Sequence, residues 1–300
     1  MGDDVEDREF ETLKAQARQE TEAGNLDRAA ELFEQALAWA LVHERADQAD
    51  YARACVAAIA IQRGNGEAEI PKLREMLMRS GSVENCRLAA YHISLQYEHG
   101  KNFKKSLFYA RIARDRAEQL GVADWQASSH NQVGNALLGE SFVEDAALEY
   151  ERALQLVTPK SVVSRALILQ NLGYCRVLQR EFRQGYSLLF ESLRMFQRLG
   201  AERYQTLLNL DLCFAHLETG RFAHAQRRGQ RALHLAERNE QGDAMKNALY
   251  LLGEAASLAG DADQARGYFS KLQGTFYPNA TYLPSFLAAV DVRKLINLHA

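Results

Sequence analysis

Histidines are the residues of this sequence that combine most readily with metals and protons. Three of the eight, His216, His224 and His234, follow one another at intervals of eight and ten residues. That spacing places them on different helical turns and different helices, whereas a zinc site needs ligands that converge. We therefore expect surface or groove histidines here, with a zinc site as the weaker alternative.

The four cysteines, Cys55, Cys86, Cys175 and Cys213, include no CxxC pair, and each falls in a helical pattern. Buried, reduced thiols of a cytosolic protein are the expected interpretation. No phosphate-binding loop, dinucleotide fingerprint, zinc-protease motif, nucleophile elbow or calcium loop occurs in the sequence. The sequence thus predicts a protein that is not an enzyme, with no catalytic residues, no metal and no cofactor.

Charge gives a second constraint on partners. The chain has a net charge of −3, made up of −9 over the first 50 residues and +6 over the other 250. The basic run Arg227, Arg228 and Arg231 fits a solvated helix face, with phosphate binding as a minority alternative. This balance lacks the strongly basic character of nucleic-acid binders, so no nucleic-acid partner is expected.

Composition points to helices in a cytoplasmic protein. Only four prolines occur in 300 residues, and helix-forming Ala, Leu, Glu, Gln and Arg dominate. No apolar stretch approaches the roughly 18 residues of a membrane span, so membrane insertion is not expected. The first residues, Met-Gly-Asp-Asp-Val-Glu, carry no secretion signal, from which we expect a cytoplasmic location.

An internal repeat in the sequence indicates the helices that position these side chains. Small residues recur after short polar turns at Ala29, Ser106, Ala146, Gly185, Ala225 and Ala265. The last four of these six positions are separated by 39, 40 and 40 residues. A second small residue precedes each by twelve positions: Ala17, Ser94, Gly134, Gly173, Cys213 and Gly253. Two antiparallel helices approach closely only where a side chain is small, so each pair marks a tight helical hairpin.

This spacing of small positions resembles the tetratricopeptide repeat family, in a long-period form of about 40 residues. The resemblance implies an all-α fold, a right-handed α-solenoid of about seven helix-turn-helix repeats in a single domain, 1–300. Repeats of similar length occur in kinesin light chains, spindle-orientation scaffolds and bacterial peptide-sensing regulators. The last group usually carries a helix-turn-helix DNA-binding domain before the repeats, and we expect none here, because the first repeat is predicted to begin near residue 10.

The landmarks also place the repeats and a cap. The predicted repeats lie near 10–49, 50–86, 87–126, 127–165, 166–205, 206–245 and 246–280, and the second is degenerate. A capping helix is expected over 284–299, because Ala288, Val292, Leu295 and Ile296 would share one apolar face over the last repeat.

In the family, the first helix of each repeat lines a concave wall. Carried onto this sequence, the resemblance predicts a partner-binding groove lined by Tyr91, Asn131, Asn135, Gln170, Asn171, Tyr174, Leu210, Phe214, Tyr250 and Glu254. Amides pair with the C=O and N–H groups of a peptide, and aromatic residues form pockets for its side chains. The alternative is that the leucines pack between repeats and that Asn131 caps a neighbouring backbone.

The sequence therefore predicts a non-catalytic scaffold or adaptor whose groove binds a peptide or helix of a partner protein. The alternatives are a self-assembling structural module and a peptide-sensing regulatory module that acts through a partner. Exposure of the aromatic residues near the C-terminus (Phe276, Tyr277, Tyr282 and Phe286) would favour self-association.

Overall fold

The computed structural model describes residues 3–293 and 297–299, and all its regular structure within these ranges is helical. The first seven α-helices are α1 (Asp3–Ala23), α2 (Leu26–Val42), α3 (Ala46–Gln62), α4 (Ile70–Arg79), α5 (Val83–His99), α6 (Phe103–Leu120) and α7 (Ala123–Gly139). A single turn of 3₁₀ helix, Gly66–Glu69, precedes α4. The others are α8 (Val143–Leu156), α9 (Val162–Leu178), α10 (Phe182–Arg198), α11 (Glu202–Glu218), α12 (Phe222–Arg238), α13 (Gly242–Leu258), α14 (Ala262–Phe276) and α15 (Leu283–Ala289).

Two compact units divide the chain where we expected one domain: unit 1 is Met1–Glu140 and unit 2 is Ser141–Ala300. Within unit 1, α2 packs on α1 and α3, and α6 packs on α5 and α7. Within unit 2, α9 pairs with α10, α11 with α12 and α13 with α14. The repeat has the same period on both sides of residue 140, so periodicity carries no signal of the division.

The all-α solenoid of helical hairpins predicted from the sequence is confirmed, with a shift in the repeat frame. The last three helix pairs cover 162–198, 202–238 and 242–276, so each begins four residues before its predicted repeat. The shift arises because small residues mark the point of closest approach inside a hairpin, which does not fix where the helices begin.

The small residues lie at close helix–helix contacts, as predicted. Ser94 Oγ donates to the carbonyl of Ser106 at 2.9 Å in the α5–α6 hairpin. In the α9–α10 hairpin, a β-carbon built on Gly185 would lie 2.8 Å from Val177 Cγ2 and 3.1 Å from the carbonyl oxygen of Gly173. A larger side chain at either position would push the two helices apart.

The cysteines are free thiols, and three of them are buried; Cys55 is half-buried. Burial raises the pKa of the Cys175 and Cys213 thiols to about 12. Such thiols stay protonated at neutral pH and are poor nucleophiles. Among the described residues, no helix combines the length and apolar character needed to cross a membrane.

The predicted capping helix 284–299 is wrong in its extent. The helix ends at Ala289, and Val290 adopts an extended conformation with φ −125° and ψ 121°. Leu295 and Ile296, which we expected on its apolar face, lie outside the described residues. Contacts that Arg293, Leu298 and His299 make with earlier helices of unit 2 outweigh the local preference of this sequence for helix.

Candidate functional site

The inner helices of unit 2 form the candidate site. These are α9, α11 and α13, the first helices of three successive hairpins, and α11 packs against both of the others. The last described stretch of the chain, which we call the 290–299 segment (residues 290–293 and 297–299), lies against them. It makes two clusters of contacts, one around Tyr174 and one around Glu254.

The first cluster joins Tyr174, Asp211 and His299. The imidazole of His299 stacks on the Tyr174 ring, with centroids 4.3 Å apart and an interplanar angle of 14°. Its Nε2 lies 2.9 Å from Oδ1 of Asp211, a carboxylate with no exposed surface. The Tyr174 hydroxyl accepts a hydrogen bond from the Leu298 backbone N–H at 3.1 Å. Burial raises the pKa of Tyr174 above its ordinary value, so the hydroxyl stays neutral.

Gln170 holds the Asp211 carboxylate from the other side, since its Nε2 donates to Oδ2 at 2.8 Å. A buried carboxylate requires partners that replace its hydration, and Gln170 and His299 supply one to each oxygen. Asp211 is therefore presented towards the 290–299 segment in a fixed orientation.

The second cluster centres on Arg293. Its guanidinium lies 3.4 Å from Glu218 Oε1 on α11 and 3.6 Å from Glu254 Oε2 on α13. Asp291 pairs with the same guanidinium at 2.7 Å. Burial, followed by the charge of Asp291, raises the pKa of the Glu254 carboxyl to about 7, while Arg293 opposes the shift. One guanidinium thus bridges two inner helices.

The ten predicted groove residues fall in both units. Of the seven in unit 2, Tyr174 and Glu254 contact the 290–299 segment directly, and Gln170 contacts it through Asp211. Phe214 lies beside Tyr174, with ring centroids 6.0 Å apart. Leu210 has no exposed surface, so it fills the core of the hairpin stack rather than an open wall.

The other two predicted residues of unit 2, Asn171 and Tyr250, are also buried, at 8% and 5% exposed. The Tyr250 hydroxyl finds no hydrogen-bond partner among the described residues. Burial and the nearby Glu254 raise its pKa, so it too remains neutral.

Tyr91, Asn131 and Asn135 lie in unit 1, on α5 and α7, and all three are half-buried. Asn135 Nδ2 donates to Glu98 Oε1 at 3.2 Å, and Gln132 Nε2 donates to the other Glu98 oxygen at 2.5 Å. The Asn135 amide is thus engaged by a carboxylate on the neighbouring inner helix. Burial raises the pKa of Tyr91 to about 12.

Asp211, Arg293 and His299 are site residues that sequence reasoning missed. Asp211 is buried in the structure. In the sequence it directly follows the predicted groove residue Leu210 in a mainly apolar part of the helix. A charged residue at such a position was a usable signal, because aspartate is rarely buried without a partner. Nothing local distinguished Arg293 or His299, because their partners lie on helices far away in the sequence.

The histidine cluster does not form a metal site within the part of the chain described. No group of three or more His, Cys, Asp or Glu side chains converges there. His216 and His224 have ring centroids 5.2 Å apart, and burial followed by the charge of His224 lowers the pKa of His216 to about 4. Tyr186 pairs with His216 at 2.9 Å, so His216 serves in packing.

The basic run on α12 is only partly solvated. Arg227 and Arg231 are exposed, as predicted. Arg228 is half-buried: its Nη1 donates to Asn209 Oδ1 at 3.2 Å, and its guanidinium lies over the Phe190 ring.

Known structures share this helical architecture. A Rap protein complexed with competence and sporulation factor aligns with a TM-score of 0.61 at 13% identity, covering 97% of each chain. A tetratricopeptide repeat protein from Parabacteroides merdae aligns with a TM-score of 0.54 at 11% identity, covering 94% of this chain and 98% of its own. This chain has the tetratricopeptide-repeat fold.

A third tetratricopeptide-like match is PilW, a widely conserved type IV pilus biogenesis factor. It aligns with a TM-score of 0.60 at 18% identity, covering 80% of this chain and 99% of its own. No family model and no curated protein matches the sequence. The tetratricopeptide-repeat fold is therefore assigned from the likeness to these solved structures and from the helical hairpins that the small residues produce.

Proposed function

We propose that this tetratricopeptide-repeat chain is a non-catalytic scaffold that holds a peptide segment of a partner protein against the inner helices of unit 2. The observation that carries the proposal is that α9, α11 and α13 already hold a segment of the chain itself. That segment contributes a backbone N–H to Tyr174, a ring to the Tyr174 face and a guanidinium to Glu254. These are the contact types by which inner walls recognise peptides.

Two further points support a binding role. One protein with the same fold is complexed with competence and sporulation factor. The sequence of this chain also carries no motif for nucleotide, metal or acyl-transfer chemistry. The proposal includes a cytoplasmic location and no nucleic-acid partner, as expected from charge and composition.

The test begins with recovery of partners from the source cell on the immobilised full chain, followed by affinity measurements with each purified partner. Phe214→Ala and Asn171→Ala, both on the inner helices of unit 2, should weaken binding by about five- to 150-fold if their side chains contact the partner. The outer-face variant Arg231→Ala, whose side chain is exposed on α12, is the matched control. Unchanged binding in both wall variants, with wild-type melting curves, would move the site off the inner helices of unit 2.

Self-association is the second candidate, and one observation favours it. Tyr277, Tyr282 and Phe286, which lie within or near α15 in the sequence, are 44%, 70% and 44% exposed. Exposed apolar groups of this kind mark protein contacts. A mass measurement in solution tests it: a concentration-dependent dimer that Tyr282→Ser and Phe286→Ser dissociate would support self-association, and a monomer at every concentration would exclude it.

A further inference from the structure

We propose that the inner face of unit 2 recognises a basic peptide with an arginine followed, five and six positions later, by an apolar residue and a histidine. The 290–299 segment of the chain itself is the resident occupant that a partner peptide must displace. The inference rests on the proposed function, because it names the chemistry of the partner bound at the same site.

Charge complementarity defines the class of partner. The inner helices present three carboxylates towards the 290–299 segment: Asp211 and Glu218 on α11 and Glu254 on α13. Asp211 and Glu254 are 0% and 4% exposed, and a buried carboxylate is stable only beside a hydrogen-bonded donor or cation. The segment provides these groups as Arg293 and His299. A partner that replaces it must bring basic groups to both ends of the same surface.

Spacing and shape make the surface selective. Arg293 bridges Glu218 and Glu254, whereas His299 lies between the Tyr174 ring and Asp211. Between them Leu298 is 4% exposed, and its backbone N–H is bound by the Tyr174 hydroxyl. A flat ring with an N–H group satisfies both Tyr174 and Asp211, so histidine fits this end better than lysine does.

The occupant is attached in a way that permits release. The helix before it, α15, has seven residues, of which only Leu287 is buried. Val290 and Asp291 are exposed, so the connection has little packing to lose. A tethered occupant competes at an effective concentration of about millimolar, which lowers the apparent affinity of any external peptide. Weakening the contacts between the 290–299 segment and the inner helices must therefore raise the apparent affinity for an external peptide.

The experiment uses the full chain and one defined probe. The probe is a fluorescein-labelled synthetic peptide with the sequence of residues 290–300, and its binding is measured by fluorescence anisotropy. The full-length double variant Arg293→Ala/His299→Ala, which weakens the resident contacts, should bind the probe at least about ten-fold more tightly than the wild type. The matched control is Arg266→Ala, an exposed arginine of α14 that pairs with Asp263; it should bind as the wild type does.

Two further measurements test the chemistry. A probe with alanine at the positions of Arg293 and His299 should lose most of its binding to the double variant. Asp211→Asn and Glu254→Gln, each added separately to the double variant, should weaken binding of the unmodified probe, and their melting curves establish that they are folded. Two substitutions at opposite ends of the surface keep the test decisive if one of them unfolds the chain.

Several results would overturn the inference. Equal affinity of wild type and double variant for the probe, or no binding by either, would show that residues 290–299 are not a competing occupant of a basic-peptide surface. A wild-type dimer that the double variant dissociates would show that the occupant belongs to a second copy. None of these three results touches the broader proposal, which fails only if the wall variants bind purified partners normally.

Discussion

The imidazole of His299 lies flat against the phenol ring of Tyr174, with 4.3 Å between their centroids, while its Nε2 reaches the Asp211 carboxylate. One residue of the 290–299 segment thus connects two inner helices, α9 and α11. The contact explains why Tyr174, predicted to line an open wall, has no exposed surface.

The Tyr174 hydroxyl should control how firmly the 290–299 segment is held. Tyr174→Phe removes the acceptor of the Leu298 N–H but keeps the ring stack, so the segment should lose about 0.5–1.5 kcal/mol of docking free energy. Amide hydrogen exchange at Leu298 should accelerate by up to about ten-fold. Tyr250→Phe is the control, because its hydroxyl has no hydrogen-bond partner among the described residues. Equal exchange rates in the two variants would contradict the assignment of this hydrogen bond.

Glu254 should give the protein a pH-dependent stability of known sign. Its pKa rises from 4.5 in the unfolded chain to about 7 in the folded one, so the folded state binds the proton more tightly. The free energy of unfolding should therefore fall as the pH rises between these two values, by up to about 3 kcal/mol from this group. Denaturation midpoints measured from pH 4 to pH 8 should show a flatter profile for Glu254→Gln than for the wild type. Parallel profiles would mean that Glu254 does not titrate in this range.

Two glycines should respond oppositely to the same substitution. A β-carbon on Gly185 would approach the backbone of α9, so Gly185→Ala should destabilise the chain by about 1–3 kcal/mol. Gly267 lies within α14 with no atom near its β-position, so Gly267→Ala should stabilise by about 0.5–1 kcal/mol. Urea denaturation measures both. Stabilisation of similar size by the two variants would show that the α9–α10 contact is not close.

The turn before α10 offers a stabilising substitution. Arg180 is exposed and has a φ of 64°, in the left-handed region that costs non-glycine residues about 1–2 kcal/mol. Arg180→Gly should therefore raise the free energy of unfolding by about 0.5–1 kcal/mol, the remainder being offset by glycine's greater freedom in the unfolded chain. Gln179, with φ −76°, gains no such relief, so Gln179→Gly should not stabilise. A lower melting temperature for Arg180→Gly would contradict the turn geometry.

The sequence by itself determined the fold class. Small residues at intervals of 39 and 40, such as Gly185 and Ala225, are required wherever two helices meet closely, and that requirement is local to each hairpin. The family resemblance that these positions carry implied that the first helix of each hairpin is the inner one, and it pointed to Tyr174 and Glu254 as inner-face residues. Their role in partner binding stays a prediction.

Tertiary structure alone decided what lies against those residues. The stretch after Ala289 has a helical apolar pattern, yet Val290 is extended, because this path lets Arg293 pair with Glu254 and lets His299 contact the Asp211 oxygen that Gln170 does not contact. Such pairing joins residues distant in sequence, and no period or local propensity encodes it. Repeats specify neighbours within a hairpin, whereas the path of the segment that leaves the last hairpin depends on charges brought together only by folding.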